Sequence, residues 1–387
     1  MNFDLTEKEK SFINKIDELM KTFARGKNLE TKDEKSSENI LRELLPRLGE
    51  IFYLEMELRD PVQSEFGCND KVCFIKAMET LAGYSQSVFL SVEMSTRMFG
   101  SVLATWGNDR QKEKWLDPLI KGNLLGALAL SEDTMNIESD PLKTHGREER
   151  GTIFVSGSKS YVINGPIADV IAVVGNFDDR PAFFIVEKDS TGLSIGERLN
   201  TLGYDGTVIS GLQLMDCVVA EDQIIGPFRE KNILNKMKLW ENQILIGASL
   251  GMMKSSFEAA KAYAKTHTAG GKPIIAYQEV AFKLAEMLTL YQTSQLLGYR
   301  AVWTASVDPK AAESLIWCAK VFCTESAEKV SSEALKVLAR EGYFTDNDTE
   351  LAYRCAKYAQ IAGTSTEIAR VKIGDDAMGY RPNQHFS

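Results

Sequence analysis

Cysteine and histidine, the residues most often used for metal binding and thiol chemistry, are spaced too irregularly here to form a recognisable site. Cys68 and Cys73 lie five positions apart, as do Cys318 and Cys323. Neither spacing matches the CxxC pattern of a zinc or dithiol site. With only three histidines in the chain, the sequence predicts no metal site. Scattered thiols are typical of a reducing compartment, and we expect a cytoplasmic protein.

Two segments in the middle of the chain combine hydroxyl, carboxylate and lysine side chains with strand-forming residues. The first is Ala129-Leu130-Ser131-Glu132, with the pair Ser139-Asp140 after it, and the second is Lys159-Ser160-Tyr161-Val162-Ile163-Asn164-Gly165. They resemble the Leu-Thr/Ser-Glu, Ser-Asp and Lys-x-Trp-Ile-Thr-Asn-Gly motifs of the acyl-CoA dehydrogenase family. The resemblance covers nearly the whole chain and implies the fold of that family, with FAD as cofactor.

The residues that the resemblance assigns to the flavin ring are partly retained. Ser131 matches the hydroxyl that contacts the ring edge, and Leu130 supplies backbone groups nearby. Tyr161 keeps an aromatic wall where the family has Trp. Ile163 replaces a threonine hydroxyl that normally faces the flavin. Ser365, in a late segment discussed below, is also assigned to flavin binding.

The positions assigned to the dinucleotide tail of the flavin depart further from the family pattern. His267 stands where the family has an Arg that binds the pyrophosphate in a neighbouring subunit. The Gly-Gly pair of a family loop becomes Ala339-Arg340, which adds side chains where backbone should approach a phosphate. Lys336 and Arg340 offer replacement charge for the pyrophosphate. The pattern indicates either an altered flavin site or a chain that has given flavin up.

The resemblance also indicates a candidate catalytic base. Many family members place a Glu in a late segment, which here reads Gln360-Ile361-Ala362-Gly363-Thr364-Ser365 and has Gly363 at that position. Members similar to isovaleryl-CoA dehydrogenase place the base on an earlier helix, and Glu241 falls in step with that pattern. Glu241 is therefore the predicted base. The alternative is a first-turn Glu that favours the helix dipole.

Two neighbours of Glu241 bear on the substrate. Family members that use CoA often carry an Asp and an Arg at the positions of Leu239 and Asn242, where they hold the thioester arm. Loss of the Arg favours an acyl group tethered to a carrier protein, as in prolyl carrier-protein dehydrogenases. Ordinary drift at an exposed helix start is the alternative.

The elements that position these residues follow an α-β-α order, which predicts an α+β fold. Thr6 and Glu9 form a predicted capping box before an amphipathic helix. We expect an amino-terminal helical domain over 1–121, an antiparallel β-domain over 122–230 and a carboxy-terminal four-helix bundle over 231–387. Within the β-domain, Gly157-Ser158 is typical of a hairpin. The last stretch of helical pattern runs over 348–376.

Composition excludes several classes of function. The 54 acidic residues outnumber the 45 basic ones, which gives a net charge of -9. This balance disfavours binding to nucleic acid or to an anionic membrane. The long apolar faces after Asn232 are compatible with a homodimer or homotetramer, the assemblies that the family forms.

The leading hypothesis is an FAD-dependent acyl-thioester dehydrogenase acting on CoA or carrier-protein esters. The alternative is a flavin-free member of the family. It would be either the non-catalytic subunit of a heteromeric dehydrogenase or a non-redox thioester enzyme that catalyses isomerisation, elimination or addition. A purely structural protein is a further alternative.

Overall fold

The computed structural model describes residues 3–59, 71–133, 141–230, 232–345 and 347–379. Cys68 and the Ser139-Asp140 pair of the sequence motif lie outside these ranges. Among the described residues, no helix is long and apolar enough to cross a membrane.

The amino-terminal part of the chain is helical. Its α-helices are α1 (Glu7–Phe23), α2 (Glu34–Glu50), α3 (Lys71–Ala82), α4 (Gln86–Glu93), α5 (Ser101–Trp106), α6 (Asp109–Gln111) and α7 (Asp117–Ile120). Two π-helical segments, Met94–Gly100 and Lys112–Leu116, continue α4 and α6. The capping box is confirmed, since the Glu9 N–H donates to Thr6 Oγ1 and the Thr6 N–H donates to Glu9 Oε2. It fixes the start of α1, whose apolar face is buried.

The middle of the chain forms an eight-stranded sheet. Its strands are β1 (Gly126–Ala129), β2 (His145–Glu149), β3 (Thr152–Ile163), β4 (Val170–Phe177), β5 (Arg180–Glu187), β6 (Leu193–Arg198), β7 (Ile209–Val219) and β8 (Ile224–Ile225). The order is β6-β7-β3-β2-β4-β5-β8, with β1 also paired to β4. The sheet is mainly antiparallel as predicted, but β1 and β2 both run parallel to β4.

The predicted hairpin at Gly157-Ser158 is wrong. Both residues lie inside the continuous strand β3, where the register against β7 shifts between Val155 and Gly157. A Cβ atom at Gly157 would lie 2.4 Å from Thr144 Oγ1. The glycine is therefore needed for a close approach at a bulge rather than for a turn.

The carboxy-terminal part consists of packed helices. They are α8 (Ile233–Thr266), α9 (Gln278–Val307), α10 (Pro309–Leu338), α11 (Asp348–Ile361) and α12 (Thr366–Ala377), and a small hairpin, β9 (Thr268–Ala269) with β10 (Lys272–Pro273), follows α8. Helix α10 packs against α8, α9, α11 and α12. The helical pattern over 348–376 divides into two helices because Gly363 adopts φ +64° and Ser365 caps α12.

A hydrophobic cluster shared by the helices and the sheet connects all three parts. It includes Phe89 of α4, Val170 of β4 and Ile246 of α8, each nearly inaccessible to solvent. Charged side chains also join the parts: Arg42 of α2 forms two hydrogen bonds with Asp169, and Arg354 of α11 forms two with Asp205. The sheet is thus packed between, and tied to, helices from both ends of the chain.

Candidate functional site

Glu241, the predicted base, lies well inside α8. The helix begins at Ile233, and at 3.6 residues per turn Glu241 is in the third turn. The alternative of a first-turn glutamate that interacts with the helix dipole is therefore wrong, because the dipole acts mainly within the first turn. The side chain is partly buried.

Protein groups surround the Glu241 carboxyl. Burial raises its pKa above the ordinary value, since removal from water disfavours the charged form. Positive charge on Lys238 and Lys320 and the nearby N–H group of Gly363 act in the opposite direction without cancelling the effect of burial. Burial, together with the nearby charge of Glu241, raises the pKa of the Tyr358 hydroxyl. This is the environment of a carboxylate that accepts a proton readily.

The segment after α11 carries the other position that the family uses for a base. There Gly363 adopts φ +64°, and a Cβ atom on it would lie 2.5 Å from Asn242 Oδ1. The Asn242 side chain accepts from the Thr364 N–H at 3.0 Å and donates to Thr364 Oγ1 at 3.1 Å. The two possible base positions are thus neighbours in space, and Asn242 takes room that a side chain at position 363 would need.

The neighbours of Glu241 are not at an exposed helix start. Asn242 is fully buried. Leu239 and Trp240 line a cavity of about 310 Å³ between α3, the Met94–Gly100 segment and α8, together with the buried Arg97. Glu241 projects from a different face of α8. Drift at an exposed position therefore does not account for Asn242.

The sequence analysis missed the groups that act on Glu241 from other helices. Lys320 of α10 is fully buried, and its Nζ atom donates to the Gln360 carbonyl oxygen at 2.8 Å. Burial lowers its pKa to about 8. A lysine on the apolar face of a predicted helix, beside Ala319 and Cys323, was the available signal, because an unpaired lysine is rarely buried.

The residues predicted for the flavin ring meet at the ends of β1 and β3. The Ser160 N–H donates to the Ser131 carbonyl oxygen at 2.9 Å, which places Ser131 beside Tyr161. The Tyr161 side chain is 67% exposed, whereas Leu130 and Ile163 are buried. The ends of the strands therefore carry an exposed aromatic ring next to two buried apolar residues.

A buried ion pair supports this corner of the sheet. Lys159 Nζ lies 2.7 Å from Glu132 Oε1 and donates to the Leu130 carbonyl oxygen at 3.0 Å. Glu132 also accepts from the N–H groups of Lys143 and Thr144 and from the Thr144 hydroxyl. Despite its burial, the hydrogen bonds and the charge of Lys159 lower the pKa of Glu132 to about 2. The pair fixes the backbone at Leu130 and Ser131.

The residues predicted for the flavin tail lie on other elements and make local contacts. The exposed His267 ends α8, and its ring stacks on Tyr263 with 4.6 Å between ring centres. Lys336 pairs with Glu333, and the Arg340 guanidinium lies 5.9 Å from the Phe344 ring centre. Ser365 accepts from the Ile368 N–H as the cap of α12.

The loop that replaces the family's Gly-Gly pair keeps a glycine-like backbone. Ala339 has φ +50° and ψ -115°, a conformation that residues with a side chain rarely adopt. The backbone at position 339 is therefore one that glycine adopts more readily than alanine.

The described residues fit the ring of a flavin better than its tail. Ser131 supplies a hydroxyl group and Tyr161 an exposed aromatic face, which suit a flat, polar-edged ring. At the tail, Lys336 is already paired with a carboxylate, and the His267 ring is stacked on Tyr263. Arg340 is exposed and positively charged, and no carboxylate among the described residues forms an ion pair with it.

Helices join the Glu241 region to the flavin-ring region. The Met94–Gly100 segment packs against both β1 and α8, and Ser95 Oγ accepts from the Gly126 N–H at 2.9 Å. The Asn164 side chain at the end of β3 donates to the Ser91 carbonyl oxygen at 2.8 Å. The two groups of residues therefore lie on elements that share one helical support.

Comparison with known proteins agrees with this architecture. Three family models match: acyl-CoA dehydrogenase N-terminal domain over residues 6–123, middle domain over 127–217 and C-terminal domain over 236–378. The mitochondrial isovaleryl-CoA dehydrogenase of Arabidopsis thaliana is 30% identical over 77% of this chain and 74% of that protein.

Solved structures show the same fold. Butyryl-CoA dehydrogenase from Megasphaera elsdenii has a TM-score of 0.88 at 22% identity, covering 98% of this chain and 100% of that one. The prolyl acyl carrier protein oxidase AnaB has a TM-score of 0.84 at 23% identity, covering 97% and 100%. The chain belongs to the acyl-CoA dehydrogenase family.

Proposed function

We propose that this protein is an FAD-dependent dehydrogenase that introduces a double bond between the α and β carbons of an acyl thioester, with Glu241 as the base. The observation that carries the proposal is the environment of Glu241. Its carboxyl group is enclosed by α8, α10 and the Gly363 segment, and burial raises its pKa while two lysines and one N–H act on the charged form. A base poised in this way matches the removal of a weakly acidic proton.

Side chains of this protein carry out the removal of the α-proton. Lys238 and Lys320 favour the ionised state of Glu241 before the reaction. Burial favours the neutral state after the carboxylate has taken the α-proton. A bound flavin would accept the β-hydrogen as hydride, chemistry that side chains cannot supply. Ser131 and Tyr161 would hold the ring, and His267 and Arg340 would contact the tail.

We further propose that the acyl group is carried by a protein rather than by free CoA. Asn242 is committed to Thr364, so it does not replace an arginine that holds a CoA thioester arm. Leu239 lines an internal cavity and offers no charge. The likeness to a prolyl acyl carrier protein oxidase is compatible with this substrate class but establishes the fold alone.

Exposed apolar side chains on α9 bear on the assembly of the protein. Phe282 and Leu296 of α9 are exposed apolar residues in this single chain. Since exposed apolar surface favours association, we propose a homodimer or homotetramer. A tail residue such as His267 would then serve the flavin of a neighbouring subunit.

A flavin-free function is the second candidate, and the tail positions favour it. Lys336 is paired with Glu333, and Ala339 places a side chain in a loop that the family keeps as glycine. In this case the protein would be a non-catalytic subunit that completes a partner's site, or a non-redox thioester enzyme that uses Glu241.

The visible absorbance spectrum of the purified protein, recorded before and after addition of FAD, separates these candidates. A bound flavin spectrum is expected. A colourless protein that does not respond to FAD would contradict the dehydrogenase proposal.

Base function is tested by exchange of the α-protons of butyryl-CoA and of a butyryl carrier protein in ²H₂O, followed by mass spectrometry. Glu241→Gln should fold, keep the flavin spectrum and lose exchange by at least about 100-fold, the usual contribution of a general base. Glu258→Gln, which changes an exposed glutamate on the same helix, should exchange normally. Full activity of Glu241→Gln would show that the base is elsewhere.

A further inference from the structure

The buried Asn242 side chain forms a connection between α8 and the segment that joins α11 to α12. Its amide oxygen accepts from the Thr364 N–H at 3.0 Å, and its amide nitrogen donates to Thr364 Oγ1 at 3.1 Å. The orientation of the amide is determined, because a backbone N–H can only donate. Both polar atoms of a fully buried side chain are therefore used on one residue of the neighbouring segment.

This connection fixes the residue that touches Glu241. Gly363 immediately precedes Thr364, and its N–H lies close enough to the Glu241 carboxyl to lower the pKa of that group. A Cβ atom at Gly363 would lie 2.5 Å from Asn242 Oδ1 and 3.2 Å from Leu245 Cδ1. The segment thus approaches α8 more closely than a residue with a side chain would allow, and Asn242 is the side chain that bonds to it there.

We propose that Asn242 is a positioning residue, which holds the Gly363–Thr364 segment against α8 beside the Glu241 carboxylate. The proposal rests on the proposed function for the role of Glu241 as base, but the arrangement itself is independent of whether flavin is bound. Asn242 then has a role within the protein itself, at a position where family members that use CoA often carry an arginine.

Other charged and titratable groups around Glu241 come from several elements and remain unchanged by substitution of Asn242. Lys238 lies on α8 itself, Lys320 on α10 and Tyr358 on α11. Glu367 on α12 acts on Lys320. Movement of the Gly363 N–H away from Glu241 should therefore raise the pKa of Glu241, since a nearby donor to the charged form lowers it.

The test measures the ionisation of Glu241 directly. Infrared difference spectra of the purified protein across pH report the carboxyl stretch, and subtraction of the Glu241→Gln spectra isolates this residue. Asn242→Leu keeps the size of the side chain and removes both hydrogen bonds. We expect the pKa of Glu241 to rise by about one unit in Asn242→Leu, the equivalent of one hydrogen bond to a charged group.

Two more variants complete the design. Thr364→Val removes only the hydroxyl that accepts from Asn242 and should raise the pKa of Glu241 by a smaller amount than Asn242→Leu. This variant keeps the test decisive if Asn242→Leu does not fold. Asn176→Leu removes an asparagine that bonds the Leu142 carbonyl oxygen in the sheet, and it should leave the pKa of Glu241 unchanged.

An unchanged pKa of Glu241 in a folded Asn242→Leu or Thr364→Val protein would overturn the proposal. An equal shift in Asn176→Leu would do the same, because it would show a general effect of destabilisation. Failure of the proposed function has a different signature: Glu241→Gln would retain α-proton exchange while the infrared shift in Asn242→Leu persisted.

Discussion

Replacement of Glu132 by glutamine should test how strongly the buried ion pair stabilises the corner that carries Leu130 and Ser131. The substitution keeps the shape of the side chain and removes its charge. Lys159, which is fully buried, then loses its counter-ion, and the Lys143 N–H faces an amide group instead of an acceptor oxygen. A charge-assisted hydrogen bond contributes about 2 kcal/mol and an unpaired N–H costs about 1 kcal/mol, so the expected loss is about 3 kcal/mol.

The loss should depend on pH in a defined direction. Burial lowers the pKa of Lys159 to about 8 in the native protein, and loss of Glu132 should lower it further. Because the folded variant then binds fewer protons than the unfolded chain, its stability rises with pH up to the unfolded pKa of lysine. The difference between wild type and Glu132→Gln should therefore be smaller at pH 9.5 than at pH 7.

Thermal unfolding followed by circular dichroism measures both effects. For 387 residues, an unfolding entropy of about 2.1 cal/mol/K per residue converts 3 kcal/mol to a fall in Tm of about 4 °C at pH 7. Glu325→Gln is the matched control, because its partner Arg370 and Glu325 itself are about half exposed and such pairs contribute less than about 1 kcal/mol. Addition of Lys159→Met to Glu132→Gln should restore most of the loss. Equal effects of Glu132→Gln and Glu325→Gln, or a pH-independent loss, would refute the reasoning.

Two backbone positions give further predictions. Ala339→Gly should raise the free energy of unfolding by about 1 kcal/mol, because φ +50° suits glycine. Ala311→Gly inside α10 is the control and should lower the free energy of unfolding. A lower stability of Ala339→Gly would show that the backbone at Ala339 is not strained. Gly363→Ala should lower the free energy of unfolding by about 2 kcal/mol, through its φ of +64° and the contact with Asn242. Gly374→Ala in α12, with open space around its Cβ position, should be neutral or stabilising, and denaturant titration compares the two.

Motif spacing predicted the fold because the family pattern and the hydrophobic periodicity point to the same elements. The capping box at Thr6 and the helix that carries Glu241 depend on residues a few positions apart, which a sequence displays directly. Gly157 shows the limit of this approach: a glycine between two strand-like runs is typical of a turn, yet here it marks a bulge. The deciding contact comes from Thr144, which is distant in sequence.

The same limit applies to the candidate site. Alignment placed a glycine at position 363 and a glutamate at position 241, but it did not reveal that the two touch. The burial of Asn242 and its bonds to Thr364 depend on packing between helices α8 and α11. Lys320 reaches the same place from a third helix. Contacts of this kind join residues far apart in sequence, and no local pattern predicts them.

The shared core also limits how such a protein can be altered by recombination. Phe89, Val170 and Ile246 belong to one continuous apolar cluster. The Arg42–Asp169 and Arg354–Asp205 pairs join helices from the two ends of the chain to loops next to the strands. A middle segment taken from a relative would therefore bring mismatched partners to both helical layers at once. The three family segments are consecutive in sequence, but they are not interchangeable parts, and a successful chimera would have to carry the matching carboxylates and apolar contacts with it.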